Sequence, residues 1–307
     1  MKIFDLHADL AMTIHKHRSE GTQAVLRNVW HDRFVQGEIY WTAAASFFRG
    51  EEDWEYMQNL VRMVQDDIRE SGWKQILTKE DLNEEAEEPT AIMTIEGMCG
   101  IDKDGVQRVE WLYEAGNRIG SLCWNDENAL ATGNWGDPGR GLTAMGKDVV
   151  RKMNELHMII DVSHANEKTF WDILETSDQP VIATHSNAKA KCFVERNLTD
   201  QQMRALAAKG GLIGMNACNS FIHRKEKKQD AAHLAKHARY IADLVGVEHV
   251  ACGFDLGAYY SADEHHDLVS PDQAQNFIRG LEKEGFSEDE IKDIAYRNVF
   301  RFLRQYM

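Results

Sequence analysis

The feature that most limits how this chain can fold is an alternation, repeated eight times, of a short apolar run with a helical pattern. The runs are, approximately, Lys2–Leu6, Ile39–Phe47, Thr90–Ile95, Ile119–Cys123, Met158–Val162, Val181–Thr184, Leu212–Met215 and His249–Phe254. Several are apolar at consecutive positions, as expected of strands buried on both faces of a parallel sheet. Helical stripes fill the intervals: Trp54, Met57, Val61, Val64 and Ile68; Val106, Val109 and Tyr113; Val149, Val150, Met153 and Leu156. Eight β-then-α units predict an α/β fold, a (β/α)8 TIM barrel with extra C-terminal helices. No linker or low-complexity tract divides residues 1–307, which are read as one domain, and the acidic stretch Glu80–Glu88 reads as a solvated loop.

Start and stop signals agree with the stripes. Thr199 with Gln202 forms a capping-box pattern ahead of Met203 and Leu206, and Ser287 with Glu290 forms another ahead of Ile291, Ile294 and Phe300. Ser270-Pro271-Asp272-Gln273 supplies a cap and a first-turn proline, and Gly246 stops the helix carrying Leu234, Ala238, Ile241 and Leu244.

Composition excludes some functions. A net charge of −15 argues against nucleic acid as a partner, because such binding rests on Lys and Arg neutralising phosphates. No run approaches the ~20 apolar residues of a membrane helix, and Asp5, His7 and Asp9 interrupt what would be the apolar stretch of a signal peptide. The five cysteines (Cys99, Cys123, Cys192, Cys218 and Cys252) are odd in number and lack CxxC spacing. They read as reduced thiols, and the expected compartment is the cytoplasm.

Polar residues gather where the apolar runs end. His7 and Asp9 follow the first run two positions apart, so alternation along a strand puts them on one face, able to share a cation. Taken alone, such a pair is more often a solvated turn; its place after the first strand is what favours a site. Glu96, between apolar Ile95 and Gly97, either pairs with an arginine or lies between two cations, since a buried carboxylate needs a partner. His164 and His185 end the fifth and sixth runs; singly each reads as a hydrogen-bonded core histidine, but equivalent places on neighbouring strands point to ligation. Asp161 and Ser163 are expected to support them. Asp255 ends the eighth run, placed to move a proton or to cap a turn. The other histidines (His15, His17, His31, His157, His223, His233, His237, His249, His265 and His266) read as solvated or structural.

In this order, these residues resemble the membrane dipeptidase (renal dipeptidase) family, peptidase family M19, within the amidohydrolase superfamily. The likeness runs from Asp5-Leu6-His7-Ala8-Asp9-Leu10 through Glu96-Gly97, Gly116-Asn117-Arg118, Gly141-Leu142-Thr143 and Asp161-Val162-Ser163-His164 to His185-Ser186-Asn187 and Arg196-Asn197-Leu198-Thr199-Asp200. It implies a barrel of the metal-dependent hydrolase type holding two Zn2+, with His7 and Asp9 on one ion, His164 and His185 on the other, and Glu96 bridging. It further implies that Arg196 binds the free carboxylate of a small dipeptide, whose C-terminal residue can be of D configuration, and that Asp255 handles the proton while a hydroxide shared by the ions attacks.

Two departures from the family bear on substrate. Trp124 stands where the mammalian enzymes carry a His that helps hold the substrate carbonyl oxygen, leaving that task to a zinc ion or to Asn125; both residues are candidates for substrate contact. After Asp255 the chain reads Leu256-Gly257-Ala258-Tyr259-Tyr260, without the family's second Asp. A related hydrolase acting on another small amide, ester or lactone is the rival enzyme. The absence of Lys from Ile119–Asn125 disfavours relatives bridged by a carbamylated lysine. An inactive ligand-binding barrel is the rival of another class, disfavoured by the full set of ligand candidates. Oligomeric state is left open, a homodimer included.

Overall fold

In the computed structural model, which describes residues 1–257 and 266–307, the eight runs form the expected parallel strands. They are β1 (Ile3–Asp9), β2 (Ile39–Phe47), β3 (Thr90–Glu96), β4 (Asn117–Ser121), β5 (Ile159–Asp161), β6 (Val181–Ile182), β7 (Ile213–Met215) and β8 (Val250–Cys252). The hydrogen-bonded order is β6-β5-β4-β3-β2-β1-β8-β7. The parallel bridge Ala183↔Ile213 joins the two ends, with Ala183 N–H donating to Leu212 O (2.9 Å) and Gly214 N–H to Ala183 O (2.8 Å). Closure this tight needs bare backbone: a Cβ on Gly253 would lie 1.8 Å from Thr184 O, and one on Gly214 1.9 Å from it. Ala258, Tyr259, Tyr260 and His265 lie outside the described residues.

Inward residues fill the barrel. Phe4, Leu6, Trp41, Ile92, Ile119 and Ile182 pack as one buried cluster, with Phe300 of the C-terminal helix Asn298–Tyr306 stacked edge-on against Trp41 at 4.9 Å. Outward residues such as Ala44, Met93, Ile160 and Val181 pack against the helical shell. The capping boxes at Thr199 and Ser287 form as expected, and Gly246 ends helix Ala231–Val245.

Some details differ from the sequence expectation. In helix Gly105–Glu114 it is Leu112, not Tyr113, that is buried with Val109; Tyr113 instead stacks under the Arg118 guanidinium at 4.0 Å. Two-residue strands at Lys74–Gln75 and Leu256–Gly257 add to β3 and β1, too short to leave a periodic signal. Asp67, on the buried face of helix Trp54–Glu70, is held by Arg18 (3.0 Å) and by the Val25 and Leu26 N–H groups (2.9 Å each).

The most consequential difference lies in β1. Its pairing with β2 shifts register between Asp5 and Ala8, so three residues of β1 span two of β2. Phe4 and Leu6 belong to the barrel interior while Ala8 packs with the outer shell. The extra residue reverses the inside–outside alternation, which is how His7 and Asp9 come to face inward above Phe4 and Leu6.

His237 is a structural histidine on helix Ala231–Val245. Its Nδ1 accepts from Ala188 N–H (3.1 Å) and its Nε2–H donates to Ile222 O (2.8 Å), joining the loop after β6 to the end of helix Asn219–Ile222. Both bonds need the neutral ring, and burial pushes its pKa down to about 4. The unfolded chain therefore binds this proton more readily. The contribution to stability is complete above about pH 6.5 and is lost as the pH falls toward 4, by about 3 kcal/mol. Urea unfolding of wild type and His237→Gln across that window should give curves that converge as the pH drops; parallel curves would contradict this account.

Candidate metal centre and pocket

Glu96 ends β3 at the same rim, 4% exposed. Immediately after it the chain turns through Gly97 at φ 86°, whose N–H donates to Ser121 Oγ at 3.0 Å. A side chain there would press on Phe48 O (3.1 Å) and on Trp124 N (3.2 Å). The Glu96 carboxylate lies between two imidazoles: Oε2 is 3.1 Å from His7 Nε2 and Oε1 is 2.7 Å from His164 Nε2. His185 Nε2 is 3.7 Å from Oε1 and 3.0 Å from His164 Nε2. On the other side His7 Nε2 stands 3.4 Å from Asp9 and 3.9 Å from Asp255. Among the described residues, two groups meet the spacing a cation needs, with donor atoms all within 4.8 Å: His7, Glu96 and His185, and His7, Asp9 and Asp255.

Neighbouring hydrogen bonds aim the histidines. Asn125 Oδ1 accepts from His164 Nδ1 (2.9 Å), which leaves the Nε2 lone pair facing Glu96. Thr184 Oγ1 donates to Asp161 Oδ2 (2.7 Å) and so accepts from His185 Nδ1 (2.7 Å), with the same result. Asp161 Oδ1 takes Ser163 N–H (3.0 Å), Ser163 Oγ–H (2.6 Å) and Thr184 N–H (2.9 Å), locking the ends of β5 and β6 together. Asp161 and Ser163 thus have the supporting place expected of them.

Asp255 is held by strain and by bonds. It adopts the left-handed region at φ 61°, uncommon for a non-glycine residue. Its N–H donates to His7 O (2.9 Å), and Asn216 Nδ2 donates to its Oδ2 (3.0 Å). Upstream, Asp5 Oδ1 accepts from Phe254 N–H at 2.8 Å, tying β8 to β1.

The electrostatics are those of a site short of positive charge. Burial raises Glu96 to about 8 against the lowering effect of His7, with Asp9 adding to the rise. Burial and then Asp9 raise Asp255 to about 6, and burial raises Asp5 to about 7. Burial opposes a charged His7, but Glu96 and Asp9 outweigh it and carry its pKa well up. His164 and His185 are pushed well down by burial, aided by the positive Arg196 and His7, so both are neutral ligand-type imidazoles. Asp9 Oδ1 is buried with no hydrogen-bond partner. Neutral imidazoles, crowded carboxylates and an orphaned carboxylate oxygen fit divalent cations.

The centre opens into a pocket of about 460 Å³ walled by Phe47, Trp124 and Phe221, with Arg49, Arg196 and Cys218 also on its lining. Arg196 is 7% exposed. It donates to Ser163 O, to His164 Nε2 (3.1 Å) and to His185 O (3.5 Å), with Phe221 5.4 Å from its guanidinium. Asn125 lines the pocket as expected of a substrate contact, but its Oδ1 serves His164. Trp124 lies against His164 with ring centroids 5.9 Å apart. Every residue singled out from sequence for metal or substrate comes to this one rim.

Sequence reasoning passed over Thr184, Asn216, Phe47, Arg49 and Phe221. Asn216 directly follows β7, so the rule that flagged His164 and His185 would also have flagged it. The aromatic walls carried no such signal, because Phe47 reads as strand and Phe221 as loop.

All 307 residues match the membrane dipeptidase family, peptidase family M19. A Klebsiella pneumoniae protein known as an uncharacterized protein in the pqqA 5′ region is 36% identical over 219 residues, 68% of this chain and 79% of that one. Dipeptidase tcpJ of Claviceps purpurea is 30% identical over 165 residues, 54% of this chain but only 38% of its own length. Among solved structures, the Rhodobacter sphaeroides metallopeptidase bound to a phosphinate mimic of L-Ala-D-Ala superposes with a TM-score of 0.85 at 21% identity, covering 100% of this chain and 99% of that one. The M19 metallopeptidase called dipeptidase AC gives 0.84 at 22% identity, covering 100% and 99%. Family match and fold agree: the chain belongs to the membrane dipeptidase family, the M19 peptidases, and is a hydrolase of that family.

Proposed function

We propose that this protein is a zinc-dependent dipeptidase, acting on dipeptides that include those with a C-terminal D-residue. The observation that carries the reading is Glu96, whose two oxygens face His7 on one side and His164 on the other. His7 and Asp9 would hold one Zn2+, with Asp255 within reach, and His164 and His185 the second, with Glu96 between them. Bound there, a pair of divalent cations acidifies water and polarises a carbonyl oxygen.

The chain's own groups do the rest. Asp255, buried and facing His7, accepts a proton from water and returns it to the leaving amine; the pull of burial on its pKa suits that exchange near neutral pH. Arg196 binds the substrate's free carboxylate through its planar fork. His164 Nε2 has a single lone pair, so ligation of a cation and the contact with Arg196 exclude each other; ligation leaves that guanidinium N–H for the substrate. A carboxylate bound so close to the reacting centre restricts substrates to very short peptides. Asn125 and Thr184 keep the two imidazoles in ligating orientation. Five free thiols support a reducing compartment, the cytoplasm. No helix among the described residues is long and apolar enough to cross a membrane.

Chelation should abolish dipeptide hydrolysis and added zinc restore it. Asp255→Asn, which keeps an oxygen in place but accepts no proton, should lose about 10²- to 10⁴-fold in kcat while metal analysis finds near-normal zinc. Full activity in that variant would remove Asp255 from the chemistry. Arg196→Met should lose about 10- to 100-fold in kcat/KM on a free dipeptide, and both proteins should cleave the C-terminally amidated dipeptide equally poorly. An unchanged preference for the free acid would remove Arg196 from carboxylate recognition.

A further inference from the structure

Trp135 is exposed to 73%, the most of any large apolar side chain among the described residues, yet it is fixed in place. Its backbone N–H donates to Asn125 O (2.9 Å), and Gly133 N–H donates to Asp126 O (2.7 Å). Next to it, Asn134 Nδ2 donates to His164 O at 3.1 Å. Arg140 clamps the same loop through Ala131 O (3.0 Å), Thr132 Oγ1 (2.7 Å) and Asn128 O (2.6 Å). The loop is also packed too closely for substitution at its turn: a Cβ on Gly133 would lie 1.8 Å from Trp124 O. An indole exposed to water on a loop backbone fixed this firmly is not explained by core packing.

The ring abuts the pocket wall. Trp135 meets Trp124 edge-on, centroids 4.9 Å apart at 71°, and Trp124 meets Phe47 at 5.0 Å and 68°. Phe47 and Trp124 line the pocket and Trp135 adjoins Trp124 just outside that lining, so the three rings make one contiguous apolar shelf that begins beside His164. Its inner end lies on the Arg196 side of the centre, because Trp124 packs on His164 and His164 Nε2 touches Arg196. Asp9 stands on the other side, against His7, while Asp255 lies close enough to feel the charges of both His7 and Arg196. A dipeptide whose carboxylate is held by Arg196 therefore carries its C-terminal side chain beside the shelf.

We propose that Trp135, with Trp124 and Phe47, forms a preorganised shelf that makes this enzyme selective for dipeptides with a large apolar, above all aromatic, C-terminal residue. The inference rests on the dipeptidase reading and adds the substrate class to it. Its energetic basis is burial of ring surface against rings already ordered, so little freedom is lost on binding. Trp135 is the specificity-determining residue and Trp124 is its partner.

The test is kcat/KM of the zinc-loaded enzyme on L-Ala-Gly, L-Ala-Ala, L-Ala-Leu, L-Ala-Phe and L-Ala-Asp, with the C-terminal residue in both configurations where it is chiral, and on L-Phe-L-Ala. L-Ala-Phe in its better configuration should exceed L-Ala-Gly by about tenfold or more. Trp135→Ala should lower that Phe-to-Gly ratio by about tenfold, and Trp135→Phe should keep most of it. The exposure of Trp135 spares the core, so melting temperature and zinc content check that the variant is intact. A Phe-to-Gly ratio near one in the wild type, or a ratio unmoved by Trp135→Ala, overturns the shelf. Preference for L-Ala-Asp overturns it in favour of Arg49 as the reader of the side chain. An advantage that follows L-Phe-L-Ala instead overturns the assignment to the C-terminal residue. Turnover of small dipeptides with any of these results leaves the dipeptidase reading standing, whereas cleavage of no dipeptide sinks that reading and the shelf together.

Discussion

Burying the Glu96 carboxylate between His7 and His164 is the interaction on which the rest of the structure turns. A carboxylate at 4% exposure carries a desolvation cost that only an opposite charge or a donor can offset. His7 on β1, its pKa carried well up, supplies that charge. Neutral His164, just past β5, turns a lone pair to Glu96 and supplies none, so the carboxylate is left short of positive charge. The glycine after Glu96, the register shift in β1 and the Asp161 network at β5 and β6 all serve that meeting. Each is a local feature whose cost makes sense only if the rim must converge on a shared point. Adding Asp9 and Asp255 to the same few ångströms makes the cluster strongly electron-rich, which is the physical argument for cations there.

The division between interior and rim follows from packing. Below the centre the barrel is filled by large side chains and closed from beneath by Phe300, so it offers no passage. Above it, loops after β4, β6 and β7 make the pocket walls, and their rigidity is itself built from side chains: Arg140 in the first, His237 across the other two. This arrangement separates what binds metal from what meets substrate. The metal candidates stand on strand ends or within three residues of them, while Trp135 and Arg196 stand farther out on loops and Phe221 on the short helix Asn219–Ile222, in the connecting segments where a family varies its specificity.

That separation explains how much was legible in the sequence. The barrel could be read because buried parallel strands leave consecutive apolar residues, and Ile39–Phe47 coincides with the observed strand. The metal candidates could be read because a polar residue after such a run is conspicuous. Boundaries at β4, β6 and β8 shifted by a few residues, since the chain stays apolar where it leaves the sheet. The bulge in β1 had no local signature; His7 and Asp9 share a face with or without it, and only the register with β2 shows which face. Leu112 rather than Tyr113 takes the buried side, and the tyrosine ring lies against Arg118, five residues on. Asn216 and Thr184 were missed because each acts on another side chain, Asp255 and His185 respectively, and a polar residue beside a candidate does not reveal that role from sequence. The shelf was invisible for a related reason: nothing in Asn134-Trp135-Gly136 says that this indole lies edge-on to Trp124.

The most direct measurement is anomalous diffraction at the zinc edge from crystals of the zinc-loaded protein. The account predicts two peaks flanking Glu96, one beside His7 and Asp9 and the other beside His164 and His185. A lone peak, or density that leaves the Glu96 carboxylate uninvolved, would contradict it.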